Sequence, residues 1–380
     1  MFAESLRSMF TVRNLVLCAS LLVASGGWVR AQAPAAPPAA PPEATREFEI
    51  RESQSWLGGQ PVKLWGLRVN NALMSPAVTE RLVNNLDNYA AHGINLLAVS
   101  LQGTNGGFPD VDAGPNAFTS DGKLISGFAR RLETVIREAD RRGMVVCVTL
   151  MMPRKDEFLR DEAAVQRAIV ESGQFLQSRQ LRNVMVNLFQ EFNHSTRIDH
   201  DVLREPDGER KKALMTSWFK AVAPDIEVGV TPNHQSGSKV DYPGADVQMF
   251  HEDMPIPAQG FALNTETPDP DLPGNEGVMT RHNRIRMEAT WKRYLGSSRT
   301  AMLFRSPYLE DVRGKQGTGP NLEMGGWGTG ESDRGVRFYF DWLQRNVGRW
   351  EYPRHVVPAK DRQSSTTGQV ESLAQSPKLK

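Results

Sequence analysis

The sequence predicts a (β/α)8 TIM barrel, with shortened or missing helices after strands five and six. Three observations carry this. Apolar runs of strand length alternate with amphipathic helical stripes through the first half of the chain, which implies parallel pairing through right-handed crossovers. The strand-like runs are almost wholly apolar, as a sheet covered on both faces requires. One such run, in the stretch NLFQEFNH at residues 187–194, ends at a carboxylate, Glu191. A buried strand that stops at a glutamate places one carboxyl group at the mouth of a barrel. Four βα units in a row fit such a barrel or a doubly wound sheet. No glycine-rich phosphate fingerprint follows the first strand, which weakens the dinucleotide-binding form of the latter.

Residues 62–69 (VKLWGLRV) give the first strand. Ser75-Pro76 opens a helix, with serine as cap and proline in the first turn. Val78, Leu82, Leu86 and Tyr89 follow at helical spacing, and Gly93 closes it. Residues 94–101 form strand two. After a glycine-rich loop, Phe128, Leu132, Val135, Ile136 and Ala139 mark the second helix, ending at Gly143. Strand three spans 144–150, helix three 161–176 and strand four 184–189. Leu214, Trp218 and Val222 mark a fourth helix. Residues 226–230 and 245–250 give strands five and six, each followed by a segment too short for a full crossover helix. Residues 261–264 (FALN) form strand seven, 279–295 a helix, 300–305 strand eight and 336–343 the closing helix.

The N-terminus reads as an export signal, residues 1–31. Arg7 and Arg13 supply positive charge, residues 15–24 are apolar, and Val29-Arg30-Ala31 offers a cleavage site before Gln32. The apolar run is short for a membrane span, though an uncleaved anchor is the alternative. Leu17 before Cys18 argues against a lipoprotein site. Residues 32–46 form an alanine- and proline-rich spacer, residues 47–355 the barrel, and residues 356–380 a polar tail expected to be disordered. A secreted or periplasmic protein follows, with no stable membrane insertion after cleavage. The formal net charge of +1 gives no electrostatic case for nucleic acid. Cys147 lies in an apolar run and reads as a small buried hydrophobe. With Cys18 removed, no internal disulfide is expected.

The barrel geometry gathers everything just past a strand's C-terminal end on one face. That set is Arg68, Asn70 and Asn71; Gln102 and Asn105; Arg154, Lys155 and Asp156; Glu191, Asn193 and His194; Asn233 and His234; His251, Glu252 and Asp253; Glu266; and Arg305 and Tyr308. Amides, histidines and carboxylates with tryptophans nearby suit a neutral polyhydroxylated ligand, so the expected partner is a carbohydrate. Glu191 is a candidate general acid/base; its bland reading is a loop carboxylate in an ion pair. Strands four and seven face each other across a barrel, so Glu191 and Glu266 can face each other over a sugar. Two carboxylates roughly 5–5.5 Å apart perform retaining glycoside hydrolysis.

With these residues in place, the chain resembles the cellulase-like glycoside hydrolases of clan A over residues 63–308. The pattern Glu191-Phe192-Asn193-His194 with Asp199-His200 is similar to a poorly characterised bacterial branch of those barrels. The resemblance implies a retaining mechanism with Glu191 as acid/base and Glu266 as nucleophile. It also implies sugar contacts from residues around them, with His251 and Asn193 either touching substrate or supporting the two acids. The sequence departs from the clan at three points. Gln190 replaces the asparagine that binds the sugar 2-hydroxyl. His251-Glu252-Asp253 keeps the strand-six histidine but has an acid where the clan has a tyrosine. The missing crossover helices leave the strand-seven register open, which makes Glu252 a second candidate nucleophile.

Other chemistries have less support. Histidines 194, 200, 234 and 251 with Glu191 and Asp253 suggest a metal cluster, but no HExxH-type spacing accompanies them. No metal or cofactor is expected, and a metal-dependent barrel hydrolase is the outlying alternative. The loop at 103–107 lacks the lysine of a phosphate cradle, and no Gly-x-Ser-x-Gly elbow points to a serine hydrolase. Trp327, in a glycine-rich run, is a candidate sugar-stacking face or a packed loop residue. Trp65 is expected in the barrel core and Trp218 in a helix core. Arg68 is read as orienting the nucleophile, or as half of a structural salt bridge. The nearest alternative function is a carbohydrate-binding barrel that has lost hydrolysis.

Overall fold

A computed structural model describes residues 43–106, 114–194, 196–233, 239–251, 254–267, 281–306, 309, 310, 312 and 336–353. Eight parallel strands form its centre: β1 (Gly66–Arg68), β2 (Leu96–Ser100), β3 (Val145–Met151), β4 (Val184–Phe189), β5 (Glu227–Gly229), β6 (Val247–Phe250), β7 (Phe261–Asn264) and β8 (Thr300–Phe304). Pairing runs in the order β5-β4-β3-β2-β1-β8-β7-β6. Between β5 and β6 the ladder is reduced to single contacts. Asp246 N–H donates to Val228 O at 3.0 Å, and Val228 N–H donates to the Asp246 carboxylate at 3.0 Å. Gly229 permits this approach, since a Cβ there would stand 2.6 Å from Val247 O. The result is a nearly closed (β/α)8 barrel.

Among the described residues six helices accompany the strands: α1 (Pro76–Ala91), α2 (Ser126–Arg141), α3 (Glu162–Ser178), α4 (Gly208–Lys220), α5 (Arg281–Leu295) and α6 (Val336–Asn346). Ser75 caps α1 by accepting from Val78 N–H, with Pro76 in the first turn. Asp161 caps α3 in the same way through Ala164 N–H. Among the described residues no helix follows β5 or β6, in keeping with the short segments there. No described helix is long and apolar enough to cross a membrane.

An aromatic cluster joins the last strand to the first. Trp291 of α5 and Trp342 of α6 lie 5.3 Å apart, Trp342 meets Trp65 at 5.6 Å, and Tyr339 stacks on Phe304 at 4.4 Å. Tyr339 also donates its hydroxyl to Gly66 O. Each such ring pair contributes about 0.5–1.5 kcal/mol beyond its buried area.

Two features differ from the sequence expectation. Residues 62–65 do not belong to strand one. Before it, three short antiparallel strands, Phe48–Arg51, Gln54–Leu57 and Gln60–Pro61, lie under the N-terminal ends of the barrel strands. They are tied there by Phe48 N–H to Arg182 O and Ile50 N–H to the Glu227 carboxylate. The buried face of α4 is also rotated from the expected stripe. It presents Lys211, Lys212, Met215, Thr216 and Phe219, while Leu214 is exposed and Trp218 only half-buried. Lys212 is fully buried because its ammonium donates to Lys239 O and lies over the Phe192 and Tyr242 rings.

Candidate active site

Strand β4 ends at Phe189, and the chain then turns sharply. Glu191 and Asn193 both take left-handed backbone conformations, φ 57° and 60°. Each costs about 1–3 kcal/mol for a residue with a Cβ and persists only where neighbours enforce it. Here Phe192, fully buried between them, does so. Its N–H donates to Thr231 O at 2.8 Å, and its carbonyl accepts from Asn233 N–H at 3.0 Å.

Glu266 is strung between two strands. Thr265 N–H donates to Phe250 O at the end of β6, and Thr267 donates its N–H and hydroxyl to Leu303 O of β8. The Glu266 N–H itself donates to Asn264 Oδ1 at 3.0 Å, and Asn264 in turn donates to the Tyr294 hydroxyl.

His251, directly after β6 and 1% exposed, stands between the two acids. Its Nε2 lies 3.1 Å from Glu191 Oε1 and its Nδ1 lies 3.5 Å from Glu266 Oε2. The carboxylates at the ends of β4 and β7 are therefore one imidazole apart. Arg68, at the end of β1, pairs through Nη1 with Glu266 Oε2, and Arg305, just past β8, through Nη1 with Glu266 Oε1 at 2.9 Å. Both arginines also face a further carboxylate, Glu310. Arg68 Nε lies 2.7 Å from its Oε1, and Arg305 Nε lies 3.9 Å from its Oε2. Asn70, with its amide oxygen turned toward Arg68, accepts from Nη2 at 2.9 Å. On the other side, Arg197 Nη1 lies 3.6 Å from Glu191 Oε2.

The electrostatics follow from these contacts. Burial alone would push the Glu266 carboxyl up, but the charges of Arg305, Arg68 and His251 outweigh it and bring the pKa down to about 2. For Glu191 burial also acts upward. The hydrogen bond and charge of His251, helped by Arg197, hold it below the usual value against the repulsion of Glu266. For Glu310 burial prevails over both arginines, and its pKa is raised.

Five residues singled out from sequence meet in this network: Glu191, Glu266, His251, Arg68 and Asn70. Arg305, expected at the barrel mouth, joins them. Three others have partners elsewhere. Gln190 donates to the Thr265 hydroxyl and accepts from Asn187 inside the barrel. Gln102 is fully buried, accepting from Met152 N–H and donating to Lys155 O. Asn193 donates to Glu205, which accepts Gly208 N–H at the start of α4. Asn233 is buried and His194 half-buried on the adjoining loops. His234, Glu252, Asp253, Tyr308 and Trp327 lie outside the described residues. The described residues hold no group of three or more histidines, cysteines and acids able to bind a metal ion. Sequence reasoning missed Arg197 and Glu310. Glu310 carried a weak signal, as an acid shortly after a strand that ends at an arginine.

No protein-family model matches the sequence, and no curated protein matches it. Solved structures do match in fold. One is a candidate glycoside hydrolase from Bacteroides vulgatus, 14% identical with TM-score 0.55 over 79% of this chain; the match spans 61% of that longer protein. Cellulase Cel5C_n is 9% identical, TM-score 0.53, over 84% of this chain and 98% of its own. The catalytic domain of Thermobifida fusca endoglucanase Cel5A is 14% identical, TM-score 0.53, over 78% and 97%; it has also been solved with cellotetraose. The chain is thus a (β/α)8 barrel of the fold used by cellulase-like glycoside hydrolases.

Proposed function

We propose that this protein is an exported glycoside hydrolase that cleaves a poly- or oligosaccharide with retention of configuration. The observation that carries the proposal is His251 held between Glu191 and Glu266. It brings a carboxylate from β4 and one from β7 to the same point on the C-terminal face of the barrel. The export part rests on the N-terminal charge and apolar run alone.

In the first step Glu266, kept ionised by Arg68 and Arg305, attacks the anomeric carbon. The glycosidic C–O bond breaks as Glu191 gives its proton to the leaving oxygen. In the second step water attacks the same carbon, Glu191 takes the water proton, and Glu266 leaves as a carboxylate. Glu191 must be protonated to act first. Protonated His251 presents Nε2–H to Glu191 Oε1, so moving that proton across the 3.1 Å hydrogen bond makes the required acid. The cellotetraose complex of the Thermobifida fusca enzyme makes β-1,4-glucan the first polymer to try. The test is turnover by Glu191→Gln and Glu266→Gln across a panel of plant, algal and microbial polysaccharides. Each variant is expected to fold and to lose activity by orders of magnitude, and full activity in both overturns the assignment.

A second reading, a saccharide-binding barrel without hydrolysis, is favoured by one observation: His251 and Arg197 hold Glu191 in its ionised form. It predicts saccharide affinity with no product released.

A further inference from the structure

Glu310 is the most deeply enclosed acid of the site, and nothing in the two-carboxylate mechanism uses it. Its side chain is 0% exposed. It lies in a turn after β8, where its N–H donates to Ser306 O at 3.1 Å. The loop after β2 covers it. Gly106, at φ +63°, accepts from Arg305 Nη2–H through its carbonyl oxygen, and a Cβ at Gly106 would stand 2.7 Å from Val312 and 3.6 Å from Glu310 Oε2. Glycine is required there both by the left-handed backbone and by the close approach. Arg68 and Arg305 are 4% and 3% exposed, so water screens the group little.

The charges of the cluster decide what Glu310 is for. With Glu310 ionised, Arg68 and Arg305 face two carboxylates in the free protein, and those four charges cancel. When Glu266 forms its bond to the anomeric carbon it becomes an ester and loses its charge. Arg68 and Arg305 then face Glu310 alone, and without it a buried, uncompensated double positive charge would stand in the glycosyl-enzyme. We propose that Glu310 is a positioning residue for the reaction: it supplies the counter-charge that holds Arg68 and Arg305 in place while Glu266 is esterified. This rests on the reading of Glu266 as nucleophile.

The role has an unusual kinetic signature. With Glu310 neutral, both arginines bear on Glu266 alone. The carboxylate becomes a poorer nucleophile but a better leaving group, so forming the glycosyl-enzyme slows while its breakdown quickens. A lost packing contact would slow both. The probes are the 2,4-dinitrophenyl 2-deoxy-2-fluoro-β-glycosides of cellobiose, mannobiose and xylobiose, whose leaving group needs no proton from Glu191. Intact-protein mass spectrometry follows gain and loss of label on the full chain, and peptide mapping locates it. The expected result is wild-type label on Glu266, with Glu310→Gln labelled about tenfold or more slowly and released about tenfold or more quickly. Glu310→Asp, whose charge is drawn back by one methylene, should shift both rates in the same directions by less, and it carries the test if Glu310→Gln fails to fold. Wild-type label on Glu266 with both rates unchanged, or changed in the same direction, overturns the proposal and leaves the nucleophile standing. No label on Glu266 from any of the three probes overturns both.

Discussion

The imidazole Nε2 of His251 lies 3.1 Å from Oε1 of Glu191. That contact makes the acid residue dependent on the histidine's charge. Replacing His251 by glutamine keeps a polar side chain but removes the charge, so the Glu191 pKa rises. The limb of the pH–rate profile that requires protonated Glu191 is then expected to move to higher pH. Turnover should fall on the order of 10²-fold, the scale of a lost acid–base partner. A profile that stays in place separates His251 from proton delivery.

Arg68 touches both Glu266 and Glu310. Arg68→Met leaves two buried carboxylates sharing one arginine, and the loss of stability should be about 3–5 kcal/mol. The Glu266 pKa, held near 2 by Arg305 and Arg68, should rise, and the acidic limb of the activity profile should rise with it. Urea denaturation and a pH–rate series measure the two effects separately.

Glu227 predicts a pH dependence of stability unconnected with catalysis. Burial lifts its pKa from 4.5 to about 7, although Ile50 N–H donates to it. A carboxyl whose folded pKa exceeds its unfolded value binds more protons when folded. Stability therefore falls as pH rises from about 4.5 to about 7. Glu227→Gln keeps the acceptor for Ile50 and removes the charge. Its Tm should exceed that of the wild type at pH 8, and the gap should close at pH 4.5.

Trp342 packs between Trp65 and Trp291, where α6 covers the join of β8 and β1. Trp342→Ala should cost about 3–5 kcal/mol. Activity per folded molecule, measured well below the lowered Tm, should be unchanged.

Much of this molecule was legible in its sequence, for physical reasons. The first four βα units declare themselves because a strand buried on both faces is apolar throughout, and Ser75 and Asp161 mark helix starts. Glu191 and Glu266 are visible because each follows a buried run directly. Other features were not legible. The strands at 48–61 are too short for a periodic pattern. The face of α4 was misjudged because Lys211 and Lys212 are buried, and a pattern that sends lysine to solvent rotates the stripe. Arg197 and Glu310 act through contacts between loops distant in sequence, and no local spacing announces such a contact.

The central claim is that Glu191 and Glu266 work as a retaining pair. Proton NMR of the first-formed product, recorded on the best polysaccharide of the panel before mutarotation, tests this most directly. The account predicts that the new reducing end has the anomeric configuration of the bond that was cut. The opposite anomer, or no hydrolysis of any polymer tried, would contradict it.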